Sequence, residues 1–203
     1  MKYLDFREAL KKKFVFTSND IRKIDPGFHR RRLVEWQKAG HIEKIRNGYY
    51  CFTDLEKNEQ LLYYMANQLY KPSYISLASA LSFYKLIPEA VFNITSVSTL
   101  KTSSFNTVYG RFDYSSIKTS LFFGYRLLKI NSVTIKIAEP EKLILDYCYL
   151  IKPAGVLDFE ALRINKEEII KLIDITKFNS YLSLYKSRVM DRRGNMFKSY
   201  LNA

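Results

Sequence analysis

The stretch EWQKAGHIEKIRNGYYCF, residues 35–52, contains the end of a predicted helix, a glycine stop and two short predicted strands. Asn47-Gly48 lies between the alternating runs Ile42–Ile45 and Tyr49–Phe52, and an Asn-Gly pair in that setting is the strongest short-range signal for a β-hairpin. Gly40 stands where glycine commonly ends a helix. The stretch therefore predicts a helix followed directly by a hairpin with basic residues near its tip.

Two further helices are predicted ahead of that stretch. Apolar residues recur with helical spacing over Leu4–Lys12. Thr17 or Ser18 is the expected N-cap of a second, short helix, because a side-chain oxygen there can accept from the free amides of the first turn. Leu4, Phe6 and Leu10 are the expected core residues of the first helix, and the second helix carries Ile21 and Ile24.

The helix before the hairpin is predicted over residues 28–39, after a turn at Asp25-Pro26-Gly27. At about 100° per residue, Leu33 and Trp36 fall on one side of this helix and predict its packed face. The opposite side holds Arg31, Val34, Glu35 and Lys38, with Arg30 and Arg32 at the two edges. Three helices followed by a hairpin is the element order of a winged helix-turn-helix.

The charge of the chain indicates an acidic partner. Its 203 residues include 33 Lys and Arg against 20 Asp and Glu, a net charge of +13, and the first 53 residues contain 13 of the basic and 6 of the acidic ones. Such an excess favours a polyanion, with nucleic acid ahead of an anionic membrane. Its concentration near the amino terminus predicts a nucleic-acid-binding module there.

Several classes of protein are excluded or disfavoured by composition. An apolar share of 47% excludes a wholly disordered chain, and no apolar run reaches the roughly 18 residues of a membrane span. Cys51 and Cys148 lie far apart, and the amino terminus does not resemble a signal peptide, so we expect a cytoplasmic protein with free thiols. The two histidines lack companions at metal-ligand spacing, and we expect neither a metal nor a cofactor.

The candidate DNA-binding residues fall into three groups. Arginine suits base reading because its planar fork can bridge guanine O6 and N7 or hold a phosphate. Amino-terminal amides of a helix can also hold a phosphate. We assign Arg30, Arg31 and Lys38 to the recognition helix, Lys44, Arg46 and Asn47 to the hairpin tip, and Ser18 and Asn19 to the start of the second helix. The alternative interpretation of the arginine triplet is a solvated charged face.

The remaining sequence predicts a larger α+β domain, giving two domains at residues 1–70 and 74–203. A capping box at Thr53–Glu56 predicts a helix to about Tyr70, ended by Lys71-Pro72-Ser73. A short strand is predicted at YISL (74–77), before a helix over Leu77–Tyr84. Further predicted strands are VFNITSVST (91–99), FDYSSI (112–117), LFFGYRLL (121–128) and SVTIKIA (132–138). A helix beginning at residues 139–141 should pack Leu143, Ile144, Tyr147 and Leu150, and a capping box at 165–168 starts a helical tail.

Enzymatic motifs are absent from the sequence: it has no GxGxxG, P-loop, GxSxG or HExxH. Lys142 and Asp146 stand four residues apart, which predicts a surface ion pair. Ser76 and Ser79 are interpreted as a helix cap and a small packing residue. We therefore expect no catalysis. The basic tail 186–197 is either a second DNA contact or a solvated end.

Three stretches resemble the AbiEi antitoxins of bacterial AbiE toxin–antitoxin systems. They are RRRLVEWQKAGHIEKIRNGYYCF (30–52), YISLASALSFYKLIPEAVFNITSVST (74–99) and KIAEPEKLILDYCYL (136–150), of which Ser76–Glu89 is the most specific. The resemblance covers roughly residues 3–150. It implies an amino-terminal winged helix-turn-helix that represses its own operon at operator repeats. It also implies a carboxy-terminal domain that counters an AbiEii-like nucleotidyltransferase toxin without a stable complex.

The expected function is therefore that of an AbiEi-like antitoxin and autorepressor in the bacterial cytoplasm. Its expected partners are double-stranded operator DNA and, functionally, the toxin, with no membrane partner. A protein-interaction module whose basic face meets an acidic partner or toxin, without sequence-specific DNA binding, is the alternative. That module would form a stable complex on co-purification and would bind DNA weakly without sequence preference.

Overall fold

The computed structural model describes residues 1–11, 13–89, 91–130, 133–150 and 159–202, and these have a mixed α+β fold. The elements are α1 (Tyr3–Ala9), β1 (Val15–Thr17), α2 (Ser18–Ile24), α3 (Arg31–Lys38), β2 (Ile42–Arg46), β3 (Tyr49–Phe52), α4 (Glu59–Leu69), β4 (Ser73–Ile75), α5 (Leu77–Phe83), β5 (Ile94–Ser98), β6 (Ser103–Thr107), β7 (Gly110–Ser116), β8 (Tyr125–Ile130), β9 (Val133–Ala138), α6 (Pro140–Leu150), α7 (Lys166–Leu172), α8 (Ile175–Ser183) and α9 (Arg188–Asn202). Within these ranges, no helix has both the length and the apolar character needed to cross a membrane.

The first three strands form an antiparallel sheet, and the first three helices share a small core with it. In the described residues the sheet has the order β1-β3-β2, so β1 pairs with the second strand of the predicted hairpin, which becomes the central strand. Gly48 takes a φ of +83° in the turn, a conformation that glycine adopts without steric cost. The buried core of this part comprises Phe6, Leu10, Phe16, Ile21, Leu33, Trp36, Ile42, Tyr50 and Phe52. Alternation along the strands sends Val15, Ile45 and Cys51 to the other face, where they join the core of the rest of the chain.

Most predicted elements of this part are confirmed, but the exposure of Leu4, the start of the third helix and the strand β1 differ from the prediction. Leu4 is 76% exposed, because it lies two helical positions from Phe6 and so faces away from the core. The predicted end of the first helix at Lys12 lies outside the described residues. The third helix begins at Arg31 rather than residue 28, since Phe28 turns inward to pack on Trp36. Strand β1 was not predicted from the sequence.

The second sheet has the order β6-β7-β5-β4-β9-β8 among the described residues. It mixes antiparallel pairs with two parallel ones, β5 with β7 and β4 with β9. Helix α4 packs against β4 and β9, while α5 contacts β5 and α6. The predicted strand over 121–128 begins only at Tyr125, because Thr119–Leu121 forms a 3-10 turn and Gly124 takes a φ of +67°. The edge strand β6 lacks apolar alternation, and the sequence did not predict it.

Helix α4 begins at Glu59, so the predicted helix start at Thr53 is wrong. The Thr53 hydroxyl donates to the carbonyl of Gly40 at 2.6 Å, and residues 53–58 do not form a helix. Asn58 performs that role, accepting from the amide of Leu61 at 2.9 Å. The apolar side chains of α4 lie in the same core as the second sheet. The domain boundary near residues 71–73 stays a prediction.

Helix α6 is covered on several sides, and this overturns the predicted surface pair. Leu143 and Ile144 are buried as predicted, but Lys142 and Asp146 are also fully buried, with 0% of either side chain exposed. The Lys142 ammonium bonds Asp146, which also accepts from the hydroxyls of Ser76 at 2.8 Å and Tyr74 at 3.0 Å. The pair is therefore a structural element of the core. Ser132, the first residue of the predicted strand SVTIKIA, lies outside the described residues.

Candidate nucleic-acid interface

The inner side of α3 fixes the helix on the first core. Leu33 and Trp36 are buried, and the Trp36 ring stacks on Phe6 with 4.6 Å between ring centroids. Gly40 follows the helix with a φ of +71° and lets the chain turn into β2. Because Leu33 and Trp36 hold one side of α3 on the core, the opposite side of the helix faces outward.

The outer side of α3 presents the cations that the sequence predicted. Arg31 is 80% exposed, and its Nε lies 3.4 Å from a carboxylate oxygen of Glu35, one helical turn along. Lys38 and Arg30 are also exposed, with Arg30 at the N-cap position. Arg32 differs, since its guanidinium is partly buried and donates to the carbonyl of Met1. Of the arginine triplet, two members are thus directed to solvent and one ties the amino terminus to α3.

The hairpin tip also combines exposed side chains with a partly buried arginine. Lys44 and Asn47 are exposed, as expected for a basic wing. Arg46 is half-buried: its guanidinium carbon lies 3.8 Å from the centroid of the Phe105 ring, and Nη1 donates to the carbonyl of Leu69 at 3.3 Å. The β2–β3 register shifts between Lys44 and Arg46, which separates the directions of their side chains. Arg46 therefore joins the hairpin to the second sheet and to the end of α4.

The start of α2 is organised by Thr17 rather than by Ser18 or Asn19. The Thr17 hydroxyl accepts from the amide of Asp20 at 3.3 Å, and the Asp20 carboxylate accepts from the Thr17 amide at 2.9 Å. Burial raises the pKa of Asp20, but hydrogen bonds from Lys13 and Thr17 outweigh it and hold that pKa below the usual value. Asn19 is exposed, whereas the Ser18 hydroxyl is buried without a hydrogen-bond partner in the described part of the chain.

A second contact joins the hairpin to the larger sheet. The Sγ of Cys51 lies 3.0 Å from the hydroxyl of Tyr109, and the Lys57 ammonium lies 4.8 Å from the centroid of the same ring. Burial raises the pKa of the Cys51 thiol to about 11, so the thiol stays protonated at neutral pH. The sequence had predicted free thiols but not this contact.

The basic tail 186–197 is partly structural. It lies mostly in α9, where Arg193 is buried and donates to the carbonyl of Cys148, while Arg188 and Arg192 are exposed. A Cβ added at Gly194 would lie 2.5 Å from the Leu182 side chain, so α9 and α8 are closely packed there. The tail therefore combines a packed face with an exposed basic one.

No family model matches this chain, and no curated protein matches it either. Function is therefore inferred from the residues themselves and from the resemblance described above.

Proposed function

We propose that this chain is a DNA-binding transcriptional regulator whose amino-terminal part is a winged helix-turn-helix, with α3 as recognition helix and the β2–β3 hairpin as wing. The observation that carries the proposal is the separation of faces on α3, where Leu33 and Trp36 are buried while Arg31 and Lys38 are exposed. The order α1-β1-α2-α3-β2-β3 and the pairing of β1 with β3 support it further. A B-DNA major groove admits one α-helix of this kind.

In the proposed complex, α3 enters the major groove with its cationic side. Arg31 can read a guanine through its two-pronged fork, and Lys38 and Arg30 contact phosphates beside the groove. Lys44 and Asn47 extend from the wing to phosphates or to the minor groove. Arg46 packs its guanidinium on the Phe105 ring, so its role is to hold the wing in position and not to contact DNA.

The resemblance to AbiEi antitoxins supplies the second half of the proposal. We infer that the regulator represses its own operon, with two copies on repeated half-sites. Its carboxy-terminal part counters an AbiEii-like nucleotidyltransferase toxin without a stable complex, and both act in the bacterial cytoplasm. Two stretches that carry the resemblance contact each other, since Ser76 donates to Asp146 at 2.8 Å and the Tyr84 hydroxyl to the carbonyl of Ala138 at 2.7 Å. These contacts support a common core role for the residues involved.

The test is fluorescence anisotropy of the whole chain with its own upstream DNA and with a scrambled duplex, across a salt series. We expect a preference of about 10³-fold or more for the upstream DNA, since sequence-reading proteins exceed their non-specific affinity by at least that factor. The affinity should also fall steeply with salt as counterions are released. Equal and weak binding to both duplexes would contradict the proposal. A stable complex with an acidic protein would then favour the interaction module.

A pair of variants tests the assigned face. Arg31→Ala should weaken binding to the upstream DNA by about 1–3 kcal/mol and reduce its advantage over the scrambled duplex, because a base-reading contact is lost. Arg111→Ala, which removes an exposed arginine from β7, is the charge-matched control and should leave that preference intact. Equal effects of the two variants would show that only net charge matters.

A further inference from the structure

An apolar side chain lies in the middle of the cationic side of α3. Val34 is 50% exposed and belongs to neither of the two hydrophobic cores formed by the described residues. A single exposed valine is ordinary on a protein surface. What distinguishes Val34 is its position, because charged side chains surround it on the side of the helix that Leu33 and Trp36 leave open.

Val34 lies between two cations in one row of the helix. Residues four apart are neighbours on a helix surface, so Arg30 lies one turn before Val34 and Lys38 one turn after it. Both cations are exposed, and neither has an ion-pair partner in the described part of the chain. At about 1.5 Å per residue, Arg30 and Lys38 are about 12 Å apart along the helix axis, and the B-DNA major groove is about 12 Å wide. The two cations can therefore reach phosphates on both sides of the groove while Val34 faces the base edges between them.

The ion pair of α3 lies beside this row and does not cover the valine. Arg31 and Glu35 are one turn apart, with 3.4 Å between Nε and a carboxylate oxygen. At about 100° per residue, Glu35 is rotated about 40° from Arg31 in one direction and Val34 about 60° in the other. Arg31 and Val34 are about 4.5 Å apart along the axis, slightly more than the rise of one base pair. The base edges that they face are therefore close neighbours.

The group in the major groove that matches valine is the C5-methyl of thymine. The other features that distinguish the base pairs there are hydrogen-bond donors and acceptors. Valine has neither, and a donor or acceptor buried against it would lose its partner in water at a cost in free energy. Contact with the methyl group instead removes apolar surface of both partners from water. The χ1 angle of valine is already restricted in a helix, so the contact costs little side-chain entropy.

We infer that Val34 determines part of the operator specificity by contacting a thymine methyl group, about one or two base pairs from the guanine contacted by Arg31. The inference rests on the proposed function, because it requires α3 in the major groove. It adds a feature of the DNA to that function, namely a thymine close to a guanine in each half-site. It also assigns the reading of that thymine to one side chain.

The experiment compares the upstream duplex with the same duplex in which deoxyuridine replaces every thymidine. The replacement removes the methyl groups and keeps every hydrogen-bonding group of the bases. In fluorescence anisotropy, the parent chain should bind the uracil duplex about fourfold more weakly, the factor expected for one buried methyl group. On a scrambled duplex the replacement should change the affinity less than about twofold, because non-specific binding depends on the phosphates.

Val34→Ala tests whether this residue makes the contact. The variant should bind the thymine duplex about fourfold more weakly than the parent and should distinguish the thymine and uracil duplexes by less than about twofold. Combining the variant with the base replacement gives a double-mutant cycle, which separates the contact from any effect of uracil on the shape of the duplex. The melting temperature should be unchanged or higher, since Val34 lies outside both cores and alanine favours a helix.

Val189→Ala is the matched control. Val189 is 53% exposed and also lies on a helix, α9. The variant should keep the roughly fourfold preference for the thymine duplex, because the same side chain is shortened away from α3. Loss of that preference in Val189→Ala would contradict the assignment to Val34. Single deoxyuridine replacements should then place the effect at one thymine in each half-site.

The failure of this inference differs from the failure of the proposed function. If the parent prefers the upstream DNA to the scrambled duplex but binds its thymine and uracil forms equally, the thymine contact is wrong and the regulator stands. If Val34→Ala loses as much affinity as the parent on the base replacement, another residue contacts the methyl group. If the parent shows no preference for the upstream DNA, both the inference and the proposed function are overturned.

Discussion

Helices α3 and α6 each carry a cation and a carboxylate four residues apart, yet the two pairs occupy opposite environments. On α3, Arg31 and Glu35 are 80% and 58% exposed. On α6, Lys142 and Asp146 are both fully buried and bonded to each other. The same spacing therefore produces a solvated pair in one helix and a core pair in the other.

The difference arises from what surrounds each helix. Helix α3 packs on one core through Leu33 and Trp36 and leaves its other side open. Helix α6 contacts α5, α8, α9 and β9, so little of its circumference reaches solvent. A buried ion pair must be fully hydrogen-bonded to be tolerated, and here Ser76 and Tyr74 complete the shell of Asp146. An exposed pair has no such requirement, because water solvates both charges.

The largest expected effect is that of Asp146→Asn. The substitution keeps the shape of the side chain but leaves the Lys142 ammonium buried without a counter-charge. Loss of one member of a buried pair costs about 3–5 kcal/mol of unfolding free energy. Urea denaturation followed by far-UV circular dichroism measures this loss. A loss below about 1 kcal/mol would mean that Lys142 is solvated, and the contrast between the helices would then disappear.

Lys142→Met should make the unfolding free energy depend on pH. Burial raises the pKa of Asp146 above 3.8, and the Lys142 cation opposes that rise. Without the cation, the folded variant retains a proton that the unfolded chain releases between the ordinary carboxyl pKa and the raised one. The variant should therefore lose about 1.4 kcal/mol per pH unit as pH rises through that window. Urea denaturation at a series of pH values should show a steeper decline than in the parent, and parallel profiles would contradict the assignment.

Arg46→Ala tests a cation that is neither solvated nor fully buried. The substitution removes the guanidinium from the Phe105 ring and its hydrogen bond to the Leu69 carbonyl. We expect a loss of about 1–2 kcal/mol, the sum expected for one partly desolvated cation–π contact and one hydrogen bond. Lys44→Ala, two positions away and exposed, is the control and should leave thermal stability nearly unchanged. If only DNA affinity falls in Arg46→Ala, the wing is not held by this residue.

The smallest effect on stability is expected from Glu35→Gln. Exposed pairs four residues apart on a helix contribute about 0.5 kcal/mol or less, so the unfolding free energy should change by no more than that. On the proposed function, removing this carboxylate beside Arg31 should raise the affinity for duplex DNA several-fold. Urea denaturation and anisotropy together test the two halves of this prediction. A large loss of stability would show that the pair on α3 is structural after all.

Local signals were enough to predict many elements of the fold. Thr17 caps α2, and Gly40 follows the end of α3 with a positive φ. Asn47-Gly48 makes the hairpin turn between β2 and β3. Each of these features depends on contacts within a few residues. The helix starts at Pro140 and after Asn165 are also confirmed. Strand β1 was missed because it is only three residues long and pairs with β3, far away along the chain. Strand β6 was missed because it lacks apolar alternation, although its partner β7 follows directly.

The candidate interface was predictable where it depends on one helix. The exposure of Arg31 and Lys38 follows from helical periodicity alone. The position of Arg46 does not, because Phe105 and Leu69 approach it only when the two sheets are assembled.

Residue chemistry and short-range spacing were enough to specify the basic amino-terminal segment, the helix caps at Thr17 and Asn165 and the tight hairpin. Which charges stay in water depends instead on how the helices pack. Lys142 and Arg31 carry the same charge with the same local spacing to a carboxylate, but only the helices packed around α6 remove one pair from solvent. Burial depends on the whole surrounding structure, and no local pattern of residues contains that information.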